Sequence, residues 1–159
     1  MIRLGYMAAM AQLRAGRETV MTSYASAAAL LGRLLIAVVF VPAGFAKFGD
    51  VAGTMAYTAS GGLPGVFGLG AGALELLAGL AVLVGWQTRW AALALAGFTL
   101  LAGVLYHYIP AQGLEGWDAV LQTLMFQKNL AIAGGLLVLS ALGAGALSLD
   151  ARQGRVAAA

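Results

Sequence analysis

Length, composition and charge together exclude most classes of soluble protein. The chain has 159 residues, of which 62% are hydrophobic and 9% are charged, and its mean hydropathy is +0.91. Soluble domains carry about 25% charged residues, so this composition predicts an integral membrane protein. A net charge of +3 from few residues argues against nucleic-acid binding. The absence of cysteine excludes thiolate metal sites and iron–sulfur clusters bound by this chain, and a single histidine argues against haem or a two-histidine metal site.

The first 26 residues have no continuous apolar run. They contain Arg3, Arg14 and Arg17, and the long apolar segment that follows lacks a convincing cleavage site. This pattern predicts a cytoplasmic tail and not a cleaved signal peptide. Met21 offers a second start, and the sequence does not decide between Met1 and Met21.

Four apolar segments are long enough to cross about 30 Å of hydrocarbon as helices. They cover about residues 27–46, 66–86, 91–109 and 129–149, and residues 150–159 are predicted to form a polar tail. The loop before the second span ends in a Gly- and Pro-rich turn, and the loop after the third has an apolar side. Each of these two loops is therefore predicted to hold a short interfacial or re-entrant segment.

The basic residues predict the orientation of these spans. All seven arginines fall on one side of the predicted membrane, against Lys47 and Lys128 on the other. By the positive-inside rule, both termini are then cytoplasmic. The predicted fold is an all-α, integral membrane four-helix bundle, and residues 27–149 form its membrane domain.

Each of the first three spans has a face that is predicted to point into the bundle. A helix turns by 100° per residue, and this spacing gives the residues of each face. The face of the first span holds Arg33, Phe40, Gly44 and Lys47, that of the second holds Gly68, Gly72, Glu75 and Gly79, and that of the third holds Ala96, Gly103 and His107. We interpret the glycines as packing surfaces.

Glu75 is the carboxylate nearest the middle of a span. An unpaired carboxylate there costs at least about 2.5 to 3.5 kcal/mol, so Glu75 is predicted to be paired, protonated or beside water. Helical side chains lean toward their own N-terminus, which brings Lys47 and His107 toward Glu75. Two interpretations stay open. Either these residues line a pocket that binds, or exchanges protons with, a small ligand such as a quinone, or a Glu75–Lys47 pair only fixes the register of the helices.

The other polar residues are weaker candidates. Arg33 is more simply an interfacial anchor whose charged end reaches water, and Lys128 with Asn129 more simply caps and anchors the fourth helix. The sequence contains no pairing of a nucleophile with a base, no phosphate-binding loop and no metal-ligand spacing.

Short motifs recur through all four predicted spans in a definite order. They are Leu31-Gly32-Arg33, Phe40 through Ala43-Gly44 to Lys47-Phe48-Gly49, Glu75 with Gly79, His107, and Lys128-Asn129-Leu130-Ala131 through Gly134-Gly135-Leu136-Leu137. Over about residues 27–149 this pattern resembles the DoxX family of bacterial four-helix inner-membrane proteins.

This resemblance implies a multi-pass inner-membrane subunit of the DoxX/DoxD type, a group linked to quinone-dependent oxidoreduction that includes thiosulfate:quinone oxidoreductase. Carried over by position, the matching polar residues, and hence the ligand-binding candidates, are Arg33, Lys47, Glu75, His107, Lys128 and Asn129. Glu75 is the candidate for proton exchange, and a non-covalently bound quinone is the expected cofactor.

Three hypotheses for function follow. The first is a membrane subunit or quinone-interacting module of an oxidoreductase system, with a soluble or membrane redox partner. The second is a noncatalytic assembly or lipid-binding protein whose buried charges fix helix packing. The third is a small-solute transporter, which four helices disfavour unless the chain forms a homo-oligomer. Whether the chain catalyses a reaction alone is left open.

Overall fold

The structure is a computed structural model that describes the backbone of residues 2–154 and the side chains of residue 12 and residues 22–154. Its helices are α1 (Ile2–Gly49), α2 (Val51–Ser60), α3 (Phe67–Val84), α4 (Thr88–Gly103), a π-helical turn (Val104–Tyr108), α5 (Ile109–Ala111), α6 (Gly116–Leu142) and α7 (Leu149–Arg152). The described residues form no strand, so the predicted all-α class is confirmed.

Four helical segments in the described part of the chain are long and apolar enough to cross a membrane. They are Thr22–Gly49, Phe67–Val84, Thr88–Ala111 and Gly116–Leu142. The predicted number of spans is confirmed. The cytoplasmic location of the termini and the re-entrant or interfacial character of the loop segments stay predictions.

The boundaries of the spans differ from the predicted ones at three places. Helix α1 continues through the segment predicted as an N-terminal tail. The fourth span begins at Gly116, well before the predicted residue 129, because the loop segment with an apolar side belongs to α6. It ends at Leu142, since Gly143 takes a left-handed φ of 88° that stops the helix.

The helices pack as two close pairs, α1 with α3 and α4 with α6, and α3 contacts α4 to join the pairs. The turn between α3 and α4 is made by Gly85, whose φ of 72° closes α3 with a left-handed cap. One cluster of buried side chains is shared by all four helices. Its members are Phe40, Ala78, Val82, Ala92, Leu95, Ala96 and Leu136.

The α1–α3 pair depends on glycines at its contact. A Cβ added to Gly44 would lie 2.5 Å from the backbone nitrogen of Leu76 and 2.7 Å from the carbonyl oxygen of Gly72. Gly68, Gly72, Glu75 and Gly79 of α3 are all buried, which confirms the predicted inward face of the second span. Gly44, Gly72 and Gly79 therefore let the backbones of α1 and α3 approach closely, as predicted.

We expect Gly44→Ala to destabilise the bundle by about 2 kcal/mol, because the new methyl group meets backbone atoms of α3 and the helices must separate to accommodate it. Gly32→Ala is the matched control on the same helix, since nothing lies within 4 Å of its added Cβ. Thermal unfolding in detergent compares the two variants. Equal melting temperatures would show that α1 and α3 do not depend on this close approach.

The C-terminal segment folds back against the end of the bundle where α4 begins. Asp150 is buried, and its two carboxylate oxygens accept hydrogen bonds from the backbone N–H groups of Gln87 and Thr88, each at 2.9 Å. These bonds hold Gln87 in a left-handed conformation with φ 49°. Residues 150–159 were predicted to form a polar tail. Asp150 departs from this prediction, because its side chain caps the N-terminus of α4.

Arg33 lies at the same end and is 1% exposed. Its guanidinium donates hydrogen bonds to the carbonyl oxygens of Leu83, at 3.2 Å, and Leu147, and it interacts electrostatically with Asp150. The interpretation of Arg33 as an interfacial anchor with its charge in water is therefore wrong. Packing of the C-terminal segment over the guanidinium removes it from solvent.

Arg89 completes this cluster by donating to the carbonyls of Ser140 and Ala141, at 3.4 and 2.6 Å, at the C-terminal end of α6. We call this end of the bundle, with Arg33, Arg89 and Asp150, the arginine end. The opposite end, with Lys47 and Lys128, is the lysine end. The predicted grouping of arginines and lysines on opposite sides is thus seen for these residues, while the side that faces the cytoplasm stays a prediction.

Candidate functional site

Lys47 and Glu75 form an ion pair between α1 and α3. The Lys47 Nζ lies 2.5 Å from Glu75 Oε2, and the side chains are 27% and 7% exposed. The predicted convergence of these two residues is therefore confirmed, and Glu75 is a buried carboxylate with a cationic partner.

The close approach of α1 and α3 explains how the two residues meet. A Cβ on Gly72 would lie 3.0 Å from the Lys47 Cβ, so the lysine stem lies directly against the glycine surface of α3. Glu75 is three residues further along the same face. Lys47 can therefore lean toward its own N-terminus and reach the carboxylate.

The ion pair lies in the wall of a cavity of about 600 Å³ between the two helix pairs at the lysine end. Most of the wall is apolar. Side chains from α1, α3, α4, the π-helical turn and α6 contribute, including Val39, Phe40, Phe67, Leu74, Phe98, Leu101, Leu105 and Ile132. A cavity of this size, mostly apolar and with few polar groups, is typical of small-molecule binding sites.

His107 also lines the cavity, and its ring Nδ1 lies 2.8 Å from Gln122 Oε1 on α6. It belongs to the π-helical turn, where the N–H of Ile109 donates to the carbonyl of Val104. Pro110 accounts for this turn, because it lacks an N–H and its ring crowds the carbonyl four residues earlier. The third span was predicted to end at about residue 109, before Pro110. The helix instead continues through Pro110 to Ala111.

Lys128 and Asn129 line the cavity from α6. Lys128 is exposed, and its Nζ lies 3.4 Å from the sulfur of Met125. Asn129 is half-buried and packs against α4, since a Cβ on Gly103 would lie 3.1 Å from the Asn129 Cβ. Neither residue begins α6, so the interpretation of the two as a cap for the fourth helix is wrong.

Five of the six predicted ligand-binding residues therefore line one cavity. They are Lys47, Glu75, His107, Lys128 and Asn129. The sixth, Arg33, is not among the lining residues. It precedes Lys47 by fourteen positions, which is about 21 Å along a helix, and belongs to the arginine end.

Several polar lining residues were not predicted as site members. Tyr106 donates from its hydroxyl to the carbonyl of Thr58 at 3.1 Å and stacks on Tyr57, with ring centroids 4.8 Å apart. These contacts fasten α2 over the lysine end of the cavity.

Thr99 was also missed. It is 4% exposed, lines the cavity, and has no hydrogen-bond partner for its hydroxyl oxygen among the described residues. The sequence carried a signal for it, because Thr99 continues the inward face of Ala96, Gly103 and His107 at helical spacing. Hydropathy alone hides it in an apolar run.

Among the described side chains, no group of three or more histidine, aspartate or glutamate residues is placed to hold a metal ion. The polar chemistry of the cavity therefore consists of one ion pair, one imidazole, one amide, hydroxyl groups and a second lysine. These groups can donate and accept hydrogen bonds to a small molecule whose remaining surface is apolar.

The fold and the cavity define the class: a polytopic helical membrane protein with a largely apolar cavity among its spans. Residues 28–108 match the DoxX family, so the chain belongs to that family.

Two relatives from Escherichia coli (strain K12) support this assignment. The inner membrane protein YqjF is 42% identical over 121 residues, which cover 76% of this chain and 88% of YqjF. The inner membrane protein YphA is 35% identical over 127 residues, which cover 77% of this chain and 88% of YphA. No solved structure matches the chain significantly. With four apolar helices and these relatives, the chain is a multi-pass protein of the bacterial inner membrane.

Proposed function

We propose that this protein binds a quinone in the cavity at the lysine end and acts as the quinone-interacting membrane subunit of an oxidoreductase system. The observation that carries the proposal is the position of the Lys47–Glu75 pair, which lies in the wall of an otherwise apolar cavity. Buried charges in membrane spans mark functional sites by default, because they are costly to keep there.

The composition of the cavity wall fits the two parts of a quinone. The apolar side chains suit an isoprenoid tail, and the polar groups suit a ring with two oxygen atoms. Lys47 Nζ donates a hydrogen bond to a quinone oxygen, whereas the Glu75 carboxylate accepts one from the hydroxyl of the reduced quinol. Both redox forms of the ring thus find a partner within the same ion pair.

Reduction of a quinone to a quinol consumes two electrons and two protons. In this proposal a partner redox protein supplies the electrons and Glu75 passes protons to the ring oxygens. Lys47 keeps Glu75 charged between transfers, and His107, held by Gln122 at 2.8 Å, lies on the route by which protons reach the cavity.

A second candidate function is noncatalytic, with the ion pair serving only to hold α1 on α3. The Nζ–Oε2 distance of 2.5 Å favours it, because each charge has an opposite charge beside it without a ligand. The two candidates differ in one respect that can be measured: only the first requires that a quinone occupy the cavity.

Glu75→Gln separates the candidates, and Asp118→Asn is the matched control, since Asp118 is an exposed carboxylate that does not line the cavity. We expect purified wild-type protein to carry quinone and to bind added ubiquinone-1. Glu75→Gln should weaken that binding about tenfold, as expected for the loss of a hydrogen bond to a charged group. Chromatography of extracted quinone and calorimetric titration measure both quantities.

Asp118→Asn should bind as the wild type does. Wild-type protein that carries no quinone and gives no heat with ubiquinone-1 would contradict the proposed function. A loss of thermal stability in Glu75→Gln without any quinone binding in the wild type would favour the noncatalytic candidate.

A further inference from the structure

The cavity has a floor that faces the arginine end of the bundle. Phe40 belongs both to the cavity wall and to the buried cluster shared by the four helices. Ala78, one turn beyond Glu75, and Ala96, one turn before Thr99, belong to the same buried cluster. Glu75 and Thr99 are therefore the polar residues nearest the packed core, and they form the floor with Phe40.

Thr99 differs from the other threonine in the cavity wall. Thr58 donates its hydroxyl hydrogen bond to the carbonyl of Thr54 at 2.8 Å. A helical threonine ordinarily makes this bond to a carbonyl three or four residues earlier. Thr99 makes no such bond within the described part of the chain, although it is equally buried.

A buried hydroxyl without a partner is unfavourable, so its retention at the floor of a cavity points to a ligand. The charges at the floor narrow the class of that ligand. Lys47 and Glu75 neutralise each other, and a second unpaired charge beside them would find no counter-charge there. The floor therefore suits an uncharged head group that exchanges hydrogen bonds.

We infer that the Thr99 hydroxyl binds the head group of the ligand, which sits at the cavity floor between Thr99 and the Lys47–Glu75 pair. The rest of the ligand extends along apolar wall residues that are also open to the outside of the bundle, such as Phe67 and Leu101, which are 58% and 55% exposed. This inference rests on the proposed function and adds a specificity-determining residue and the orientation of the head group.

The test uses the isosteric change Thr99→Val, the conservative change Thr99→Ser and the matched control Thr88→Val. Thr88 is also on α4, is fully buried and has a hydroxyl oxygen without a partner among the described residues, but it does not line this cavity. Binding of ubiquinone-1 to the full-length protein in detergent is measured by calorimetry. Thermal unfolding without ligand is measured in parallel.

We expect Thr99→Val to weaken ubiquinone-1 binding about tenfold, and Thr99→Ser and Thr88→Val to stay within about twofold of the wild type. Without ligand, Thr99→Val and Thr88→Val should melt at or above the wild-type temperature, because each removes a buried hydroxyl that lacks a partner. Weaker binding without loss of stability is the signature of a ligand contact, which a structural role would not produce.

Equal binding by Thr99→Val and the wild type would overturn the inference about Thr99 and leave the proposed function standing. A marked drop in the melting temperature of Thr99→Val would also overturn it, since the hydroxyl would then have an internal partner. If the wild type does not bind ubiquinone-1, the proposed function is wrong and the inference falls with it.

Discussion

Arg33→Met is expected to destabilise the protein by about 4 kcal/mol and to release the C-terminal segment. The substitution removes both hydrogen bonds that the guanidinium donates, to Leu83 and Leu147, together with its favourable electrostatic interaction with Asp150. Each hydrogen bond to a charged group contributes about 1.5 to 3 kcal/mol, so the loss of both gives the expected size of the effect. The bond to Leu147 holds the C-terminal segment, whereas the bond to Leu83 holds the end of α3.

Thermal unfolding in detergent measures the loss, and hydrogen exchange of residues 143–154 reports release of the segment. Arg152→Met is the matched control, since Arg152 is exposed on α7 and should cost no more than about 0.5 kcal/mol. Asp150→Asn removes the other charge. It should lower the free energy of unfolding by less in the Arg33→Met variant than in the wild type. Fully additive effects would show that Arg33 and Asp150 act independently.

Lys47→Met is expected to destabilise the bundle by about 3 kcal/mol, because it leaves the Glu75 carboxylate buried and unpaired between α1 and α3. Glu75→Gln should cost only about 1 kcal/mol, since the partly exposed Lys47 can turn to water. The double variant Lys47→Met with Glu75→Gln should recover most of the stability that Lys47→Met alone loses.

The matched control for Lys47→Met is Lys128→Met, which changes another lysine of the same cavity wall that is exposed and has no carboxylate partner among the described side chains. It should change stability by about 0.5 kcal/mol or less. Similar losses in the two variants would mean that the ion pair does not stabilise the α1–α3 contact. The unfolding midpoint in detergent is measured for the wild type and the four variants.

The membrane-spanning architecture could be predicted because apolar runs of about 20 residues have few alternatives in a bilayer. Helical periodicity then predicted which face of each of the first three spans points into the bundle. Arg33, Phe40 and Gly44 are all buried, as their common face predicted. The direction in which helical side chains lean, combined with alternating span directions, allows Lys47 and Glu75 to converge. Periodicity does not encode the order of the helices around the bundle, so only the structure shows that the two residues pair.

The arginine end could not be predicted in the same way. Arg33 and Asp150 lie far apart in the sequence. A hydropathy profile treats each of them only as a residue near the limit of an apolar span. Their proximity depends on the fold-back at Gly143 and on the cap that Asp150 places on α4, which are tertiary contacts and not periodic features. Thr99 was missed for another reason: helical spacing places it on the inward face of α4, but the lack of a partner for its hydroxyl is visible only in the structure.

The contact between Arg33 and the C-terminal segment also orders events during biosynthesis. Helix α1 is synthesised before the C-terminal segment, so the first span enters the bilayer before Leu147 and Asp150 exist. Until then the long Arg33 side chain must reach the head-group region. Burial of the guanidinium consequently waits for the C-terminal segment, and a chain cut short before residue 147 would leave Arg33 without the Leu147 carbonyl that accepts one of its hydrogen bonds.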